Sequence, residues 1–373
     1  MRVVIAPNSF KHCLPAREVG EAMARGVRAA CPAALTDIIP LSDGGDGLVA
    51  AMSARLPGKL IATETRDPLG RPIQAVWFKT PDYALIEMAL ASGLARLQGP
   101  EEYAPLNAST YGTGLLIRAA MDHGCRRIII GLGGSATVDA GCGMASALGF
   151  RLLDRQGQPI PEGGDGLAGL DHVAIDGADS RLKAITAIAL TDVNNPLLGE
   201  FGAARVFAPQ KGASPADVET LERNLSRWAT VVERDLALSV AALPGAGAAG
   251  GLGAGCIAFL GATLVPGAQW VAEQTGLVDA IRKADLVLTG EGRIDRQTAF
   301  GKVPAYVARI AKSLNKPAIA MGGTVADDAD LTSLGITRCV AITPPGVSLA
   351  EAIKKVETNL EKSATELMMS FRR

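Results

Sequence analysis

The feature that most constrains this chain is a repeated order of short apolar runs, glycine-containing polar loops and amphipathic stretches. Residues 2–6 are mostly apolar, and residues 15–30 then carry apolar side chains at helical spacing. The same order returns near the other end, where apolar runs at 285–289 and 317–321 flank the helical pattern of 304–314. Strands that alternate with helices are typical of a parallel sheet with crossover helices. Both chain ends are therefore predicted to build one doubly wound α/β domain.

The middle of the chain has a different pattern. Residues 61–65 and 73–78 flank a turn that contains Pro68 and Gly70, which predicts a β-hairpin. An apolar strand at 127–131 then leads into a glycine-rich turn. We therefore expect a second α/β domain inserted into the first. The predicted domains are residues 1–60 with 280–373, and residues 61–279.

Composition excludes several classes of protein. The 37 Lys and Arg residues nearly balance the 38 Asp and Glu residues, which disfavours a nucleic-acid partner. The six cysteines form no Cys-x-x-Cys pair and the three histidines are scattered, so no zinc or iron–sulfur spacing is present. Free thiols and an apolar run of only four residues, 3–6, predict a cytoplasmic protein without an export signal.

One segment is long enough and uncharged enough to suggest a membrane span. No side chain between Asp235 and Glu273 carries a formal charge. Its centre, residues 245–255, is mostly glycine and alanine, and Pro244 and Pro266 lie on either side. We therefore predict a glycine-rich loop followed by a buried helix at 256–264, and no membrane partner.

Ligands of parallel α/β sheets bind at the carboxyl ends of the strands, so the residues that follow each predicted strand are candidates for a site. They are Ser9, Lys11, Asp43, Gly133, Gly134, Ser135, Asp192, Glu291, Arg293, Asp295, Gln297, Thr298 and Lys302. Phosphoryl transfer to an alcohol needs a carboxylate near the hydroxyl, a metal that bridges the phosphates, and cations that neutralise developing charge. The carboxylates in this set can meet the first two needs, and Lys11, Arg293 and Lys302 the third.

Two other nucleotide-binding patterns match less well. The turn at 131–136 is similar to a dinucleotide-binding fingerprint, but Ala136 stands at the third glycine position, so a nucleotide-dependent oxidoreductase stays an open alternative. A P-loop is absent, because Arg296 replaces its first glycine and Val303 its hydroxyl residue. A non-catalytic module that binds small acids is the other alternative.

Further motifs accompany these strand ends in a fixed order along the chain. They are residues 5–11, 43–47, 67–71, 86–94, 110–114, 133–137, 192–197, 209–213, 247–251 and 290–302. Together they resemble the glycerate kinase family, of the bacterial glycerate 2-kinase type. The sequence departs from the family pattern at three positions, with Asn8 for Asp, Asp46 for Glu and Leu48 for Thr.

The resemblance implies an ATP-dependent kinase that uses Mg²⁺ to phosphorylate D-glycerate at O2, giving 2-phospho-D-glycerate. Glycerate 3-kinase activity is its nearest alternative. The resemblance also implies a Rossmann-like domain with an inserted α/β domain and a site in the cleft between them. The oligomeric state stays open, with a homodimer as one option.

The site residues are assigned to roles within this resemblance. The catalytic candidates are Asp192, Asp43, Lys11 and Arg293, and either aspartate orients the substrate hydroxyl. The substrate and phosphate candidates are Ser9, Gly133, Gly134, Ser135, Arg66, Arg71, Glu291, Gln297, Thr298 and Lys302. The metal candidates are Asp43, Asp192 and Asp295.

Overall fold

The structure is a computed structural model that describes residues 1–11, 13–296, 298, 302–326, 328 and 330–371. Its contacts divide the chain into two compact units. Unit 1 consists of Met1–Leu56 and Gly267–Arg373, and unit 2 of Pro57–Pro266. The domain bounds expected from the sequence stay a prediction, because contacts define compactness and not independent folding.

Strands and helices alternate through most of the chain. The strands are β1 (Arg2–Pro7), β2 (Leu35–Ile38), β3 (Lys59–Arg66), β4 (Pro72–Lys79), β5 (Ala84–Glu87), β6 (Arg127–Gly131), β7 (Arg151–Leu153), β8 (His172–Ala174), β9 (Thr186–Leu190), β10 (Thr263–Val265), β11 (Leu286–Ile294), β12 (Ala318–Val325) and β13 (Ile336–Ala341). The helices are α1 (Ala16–Ala30), α2 (Leu48–Ser53), α3 (Ala89–Ser92), α4 (Tyr111–Asp122), α5 (Cys142–Ala147), α6 (Ala203–Phe207), α7 (Pro215–Leu236), α8 (Leu252–Leu260), α9 (Gly267–Thr275), α10 (Leu277–Arg282), α11 (Val303–Ser313), α12 (Leu349–Lys354) and α13 (Val356–Phe371).

Unit 1 is built on a parallel sheet of order β13-β12-β11-β1-β2. The chain leaves β1 toward β2 on one side, and returns much later to add β11, β12 and β13 on the other. The strand order therefore reverses between β1 and β11, which is where sheets of this kind bind ligands. Two strands come from the start of the chain and three from its end, as the sequence predicts.

Helices cover both faces of this sheet. Val3 and Ile5 of β1 belong to a fully buried cluster with Met23 of α1 and Leu360 of α13. Val4 lies between them in β1, so its side chain points to the opposite face of the sheet, and it is equally buried. Helices α10 and α11 also contact β1. The predicted fold class, a Rossmann-like doubly wound domain with an inserted α/β domain, is confirmed.

Unit 2 carries a mixed sheet of order β10-β9-β6-β5-β4-β3. The first four strands run parallel, whereas β4 pairs antiparallel with both β5 and β3. The predicted hairpin is thus β3 and β4, joined by a turn in which Gly70 adopts φ +84°. A small antiparallel pair, β7 and β8, completes the unit.

Three sequence predictions of local structure are wrong in their bounds. The helix expected at 256–264 is α8, four residues earlier at its start, because Gly251 and Gly261 adopt left-handed φ angles at its two ends. The residues after 289, expected as a loop, continue β11 to Ile294 in register with β12. The helical pattern of residues 349–368 also predicts one closing helix, which in the structure is two helices, α12 and α13.

The glycines of β11 and β12 explain why the sequence predicted a loop where β11 continues. A Cβ on Gly290 would lie 2.2 Å from the carbonyl oxygen of Met321, and a Cβ on Gly323 would lie 2.4 Å from that of Gly292. These glycines let β11 and β12 approach closely instead of forming a turn.

No helix in the described part of the chain is both long and apolar enough to cross a membrane. The uncharged stretch between Asp235 and Glu273 contains the turns at 241–251, α8, β10 and part of α9.

Candidate active site

Unit 1 has a cavity of ≈ 560 Å³ at the carboxyl ends of its parallel strands, which we call the switch-point pocket. It opens where the strand order reverses, because residues that follow β1 and residues at the end of β11 both line it. Its polar lining includes Asn8, Ser9, Lys11, Asp43, Glu291, Arg293 and Lys302. Six of these seven residues were predicted as site residues from the sequence, and Asn8 is the exception. The structure thus brings the six together in one pocket.

The loop after β1 is held by its own backbone and by Asn8. The amide of Asn8 donates to the carbonyl of Gly290 at 2.8 Å, and its side-chain Oδ1 accepts from the amide of Ser9 at 2.8 Å. Phe10 and Leu14 then exchange two backbone hydrogen bonds, in which the amide of each donates to the carbonyl of the other at 2.9 Å. Asn8 is buried, so it shapes the loop that presents Ser9 and the exposed Lys11.

Asp43 sits in a tight turn after β2. Its Oδ1 accepts from the amide of Gly45 at 3.1 Å, and the hydroxyl of Ser42 accepts from the amide of Gly44 at 3.2 Å. A Cβ on Gly267 would lie 2.2 Å from the carbonyl oxygen of Asp43, so α9 begins against this turn. The carboxylate of Asp43 is half-buried and lines the pocket.

Glu291 is the buried acid of the pocket. Its Oε1 accepts from the hydroxyl of Thr298 at 2.6 Å, and its Oε2 lies 3.6 Å from Nζ of Lys302. Burial raises the pKa of Glu291, and the charges of Asp43 and Asp295 act in the same direction, while Thr298 and Lys302 oppose them. Thr298 also accepts from the amide of Asp295 at 3.1 Å, which fixes the start of the loop after β11.

The cations at this edge of the sheet are more exposed than Glu291. The side chain of Arg293 is 70% exposed, and its Nε lies 3.3 Å from Oδ2 of Asp295. Lys302 is 33% exposed and stands at the amino end of α11. Gln297, a predicted phosphate-binding residue, lies outside the described residues.

The pocket also has an apolar part to its lining. It is formed by Phe10, Ile342, Leu349, Ala352, Ile353 and Val356. Apolar side chains suit a flat aromatic ring, and the cations that line the same pocket suit phosphates.

Unit 2 presents a second group of predicted residues at the carboxyl ends of β6 and β9, which are parallel neighbours with Gly131 opposite Leu190. Gly133, Gly134 and Ser135 follow β6, and Asp192 follows β9. We call residues 133–137 the glycine loop. The amide of Leu94 donates to the carbonyl of Gly134 at 3.0 Å, and that of Ala136 to Ser92 at 3.0 Å. The loop is therefore tied to the segment that follows β5.

A buried lysine lies beneath this loop. Lys211 is 2% exposed, and its Nζ donates to Oγ of Ser135 at 2.6 Å and to the carbonyl of Thr137 at 2.7 Å. Burial lowers the pKa of Lys211 to about 7, against the charge of Asp139. Asp139 is itself fully buried and accepts from the amide and hydroxyl of Thr110, both at 2.8 Å.

The sequence reasoning missed Lys211 and also Glu87, a buried carboxylate at the end of β5 opposite Gly131. Both lie inside motifs on which the family resemblance rests, Lys211 in 209–213 and Glu87 in 86–94. Membership of these motifs was the sequence signal that could have identified them. Neither follows a strand with a recognisable polar turn.

Asp192 is half-buried in the loop after β9. The amide of Val193 donates to Oγ1 of Thr191 at 3.3 Å, and the amide of Thr191 to the carbonyl of Val265 at 3.0 Å. The glycine-rich segment supports this loop, since a Cβ on Gly247 would lie 2.2 Å from the carbonyl oxygen of Pro196.

The two arginines on the β3–β4 hairpin make ion pairs and a ring contact. Arg71 contacts both carboxylate oxygens of Glu102, at 2.7 and 2.9 Å, and also Asp67. Hydrogen bonds from Arg71 lower the pKa of Glu102 to about 2. The guanidinium of Arg66 lies 4.4 Å from the ring centre of Tyr111. Their predicted role toward a carboxylate stays a prediction.

The metal assignment also stays a prediction. Within the ranges that the structure describes, no three His, Cys, Asp or Glu side chains form a group that could hold a metal ion.

Parallel α/β units with carboxylates and cations at their strand ends are typical of enzymes that bind phosphorylated ligands. Comparison with known proteins gives the class: this chain belongs to the glycerate kinase family, whose sequence profile matches residues 3–372. It is 42% identical to a glycerate kinase of Halalkalibacterium halodurans, over 98% of this chain and 97% of that one. It is also 42% identical to the glycerate 2-kinase of Escherichia coli, with the same coverage.

A solved structure shows the same likeness. The crystal structure of a putative glycerate kinase 2 from Salmonella typhimurium LT2 matches with a TM-score of 0.86 and 43% identity, covering 100% of this chain and 98% of that one.

Proposed function

We propose that this protein transfers the γ-phosphoryl group of ATP to O2 of D-glycerate, releasing 2-phospho-D-glycerate and ADP. The observation that carries the proposal is the full-length likeness to glycerate kinases, with a glycerate 2-kinase among them. The two groups of polar strand ends supply the donors, acids and cations that such a reaction needs.

ATP is proposed to occupy the switch-point pocket. Its volume of ≈ 560 Å³ is within the usual range for small-molecule sites. The apolar lining residues, which include Ile342 and Leu349, suit the base, while Lys11, Arg293 and Lys302, which line the same pocket, suit the phosphates. Exposed cations can follow the phosphates as charge develops.

The donor set of this pocket fits Mg²⁺. Asp43 and Glu291 both line it, and Mg²⁺ is usually held by one or two carboxylates together with phosphate and water oxygens. Asp43 is the first candidate ligand here, with Asp192 and Asp295 as the other predicted ligands. The ion would neutralise charge on the phosphate oxygens.

The substrate hydroxyl is proposed to meet Asp192. The carboxylate orients the O2 hydroxyl and accepts its proton as the phosphoryl group transfers, leaving Asp192 protonated until the proton passes to water. Asp43 is the alternative for this role. The glycine loop, on the neighbouring strand end, is proposed to bind the charged part of the substrate.

A coupled assay tests the reaction and its position. D-glycerate, ATP and Mg²⁺ are mixed with enolase, pyruvate kinase and lactate dehydrogenase, and phosphoglycerate mutase is left out. NADH oxidation that depends on glycerate and on enolase supports phosphorylation at O2. ADP release that depends on glycerate but gives a signal through enolase only after mutase is added would show phosphorylation at O3. No glycerate-dependent ADP would contradict the proposal.

The compartment and assembly are separate proposals. The six cysteines are free in the structure, which suits a reducing cytoplasm. Fractionation of cells tests this, and light scattering tests whether the chain forms a homodimer.

A further inference from the structure

The glycine loop of unit 2 has hydrogen-bond donors without acceptors. The amides of Gly133 and Gly134 donate to no acceptor among the described residues, and both residues are partly exposed. Gly134 adopts φ +78°, a left-handed conformation. Two free amides next to each other at the end of a strand make a concavity that favours an anion.

The hydroxyl of Ser135 adds a third donor. Its Oγ accepts a hydrogen bond from Lys211 at 2.6 Å, so the hydroxyl proton is left to be donated. Within the described chain no acceptor receives this proton, although Ser135 is only 6% exposed. A buried donor without an acceptor costs free energy, and such groups in native proteins call for an explanation.

Lys211 supplies the positive charge. No carboxylate among the described residues lies within ion-pair distance of its Nζ, which bonds to the neutral Ser135 and Thr137 instead. The carboxylate of Asp139 is near enough to act on Lys211 but is held by Thr110 and by the amides of Gly141 and Gly143. A buried ammonium without a directly paired anion is costly, and a bound anion would offset that cost.

We propose that the glycine loop binds the carboxylate of the substrate and that Lys211 is a positioning residue, which fixes the Ser135 hydroxyl as a donor to that carboxylate. This inference rests on the proposed function, since it names the substrate group that the loop receives. Lys211 does not touch the substrate and acts through Ser135 and through its charge.

The charge favours a carboxylate over a phosphate. The loop offers neutral donors and one buried lysine, whose charge is partly offset by the nearby Asp139. This set suits a single negative charge better than a phosphate group, which carries nearly two. The neighbouring strand end carries Asp192, so a carboxylate in the loop would direct the adjacent O2 hydroxyl toward that side of the sheet edge.

The test compares D-glycerate with D-glyceramide, a neutral ligand of the same shape. Dissociation constants for both are measured by calorimetry with ADP present, for the wild type, Ser135→Ala, Lys211→Met and Ser135→Thr. Thr80→Val is the matched control, because Thr80 is also 6% exposed but lies at the amino end of β5, away from the site.

We expect Ser135→Ala and Lys211→Met to weaken D-glycerate binding by roughly 10- to 100-fold, the loss of a hydrogen bond to a charged group, with little change for D-glyceramide. Ser135→Thr, which keeps the hydroxyl, should retain the preference for D-glycerate over D-glyceramide that Ser135→Ala loses. Thr80→Val should bind both ligands as the wild type does. Equal weakening of both ligands would show a merely structural role and overturn the inference. If Lys211→Met does not fold, the ratio of the dissociation constants for D-glycerate and D-glyceramide in Ser135→Ala tests the inference in the same way.

Kinetics separate this inference from the proposed function. A rise in KM for ATP with unchanged KM for glycerate in Ser135→Ala would assign the loop to a phosphate and overturn the inference while the kinase activity stands. A wild type without glycerate turnover would contradict the proposed function, whereas loop-dependent binding of glycerate in calorimetry would still support the carboxylate subsite.

Discussion

The two units present charge in opposite ways. In unit 1 the cations of the switch-point pocket are accessible, with Arg293 70% and Lys302 33% exposed. In unit 2 the cation beneath the glycine loop, Lys211, is 2% exposed and bonded to neutral oxygens. Exposed charges are screened and can move with a ligand, whereas a buried charge is fixed and costly. We infer that unit 1 is suited to phosphates that change during the reaction and unit 2 to a group that stays in place.

The largest effect is expected at Asp192. Asp192→Asn removes the carboxylate that is proposed to orient the hydroxyl, and kcat should fall roughly 10²- to 10⁴-fold while the thermal midpoint stays near that of the wild type. Asn194→Ala, two residues away and exposed, is the control and should keep full turnover. Near-normal kcat in Asp192→Asn, measured in the coupled assay, would move the role to Asp43.

The rigidity of the glycine loop is tested at Gly250. This residue has φ +66°, and a Cβ would lie 1.9 Å from the carbonyl oxygen of Thr137, so Gly250→Ala must displace the loop. We expect a loss of roughly 2–5 kcal/mol from strain and overpacking. Gly199→Ala is the control, because φ is +91° there but no atom lies within 4 Å of the added Cβ.

Gly199→Ala should cost only about 1–2 kcal/mol, from backbone strain alone. Urea unfolding measures both variants. Equal losses at the two positions would show that the contact with Thr137 does not constrain the loop.

The exposed cations of unit 1 should give a smaller and salt-dependent effect. Lys302→Met is expected to raise KM for ATP roughly 10-fold at low salt, and the difference from wild type should shrink as salt screens the charge. Lys312→Met, at the other end of α11, is the control. A rise in KM for glycerate instead of ATP would contradict the assignment of the pocket.

The pH dependence of stability tests the buried cation of unit 2 separately from ligand binding. Burial lowers the pKa of Lys211 to about 7, while an unfolded lysine keeps a value near 10.5. Between these values the unfolded chain binds more protons, so the contribution of Lys211 makes unfolding free energy rise with pH. Urea midpoints from pH 7 to 10 should rise less in Lys211→Met than in the wild type. If the urea midpoints of the two proteins changed with pH in parallel, a buried Lys211 with a lowered pKa would be contradicted.

How much of the site the sequence predicts depends on how local its signals are. Ser9, Asp43 and Glu291 each follow or end an apolar strand, and the rule that ligands bind at such ends finds them without any knowledge of packing. Lys211 escapes that rule, because it comes from a 3₁₀ helix at Pro209–Lys211 and reaches Ser135 only through the tertiary fold.

The fold shows the same limit. Apolar periodicity predicts the parallel strands and the β3–β4 hairpin because each pattern is continuous in the sequence. The extension of β11 through Gly290 and Gly292 is not predicted, since glycine usually indicates a turn, and only the close approach of β12 explains its presence here. Burial and strand-to-strand distance are properties of the folded chain.

The most direct test of the account titrates a non-hydrolysable ATP analogue and D-glycerate, separately, into the wild type, Lys302→Met and Ser135→Ala. The account predicts a crossed result: Lys302→Met weakens binding of the nucleotide alone, and Ser135→Ala weakens binding of D-glycerate alone. If either variant weakened both ligands equally, or if the pattern were reversed, the division of substrate binding between the switch-point pocket and the glycine loop would be wrong.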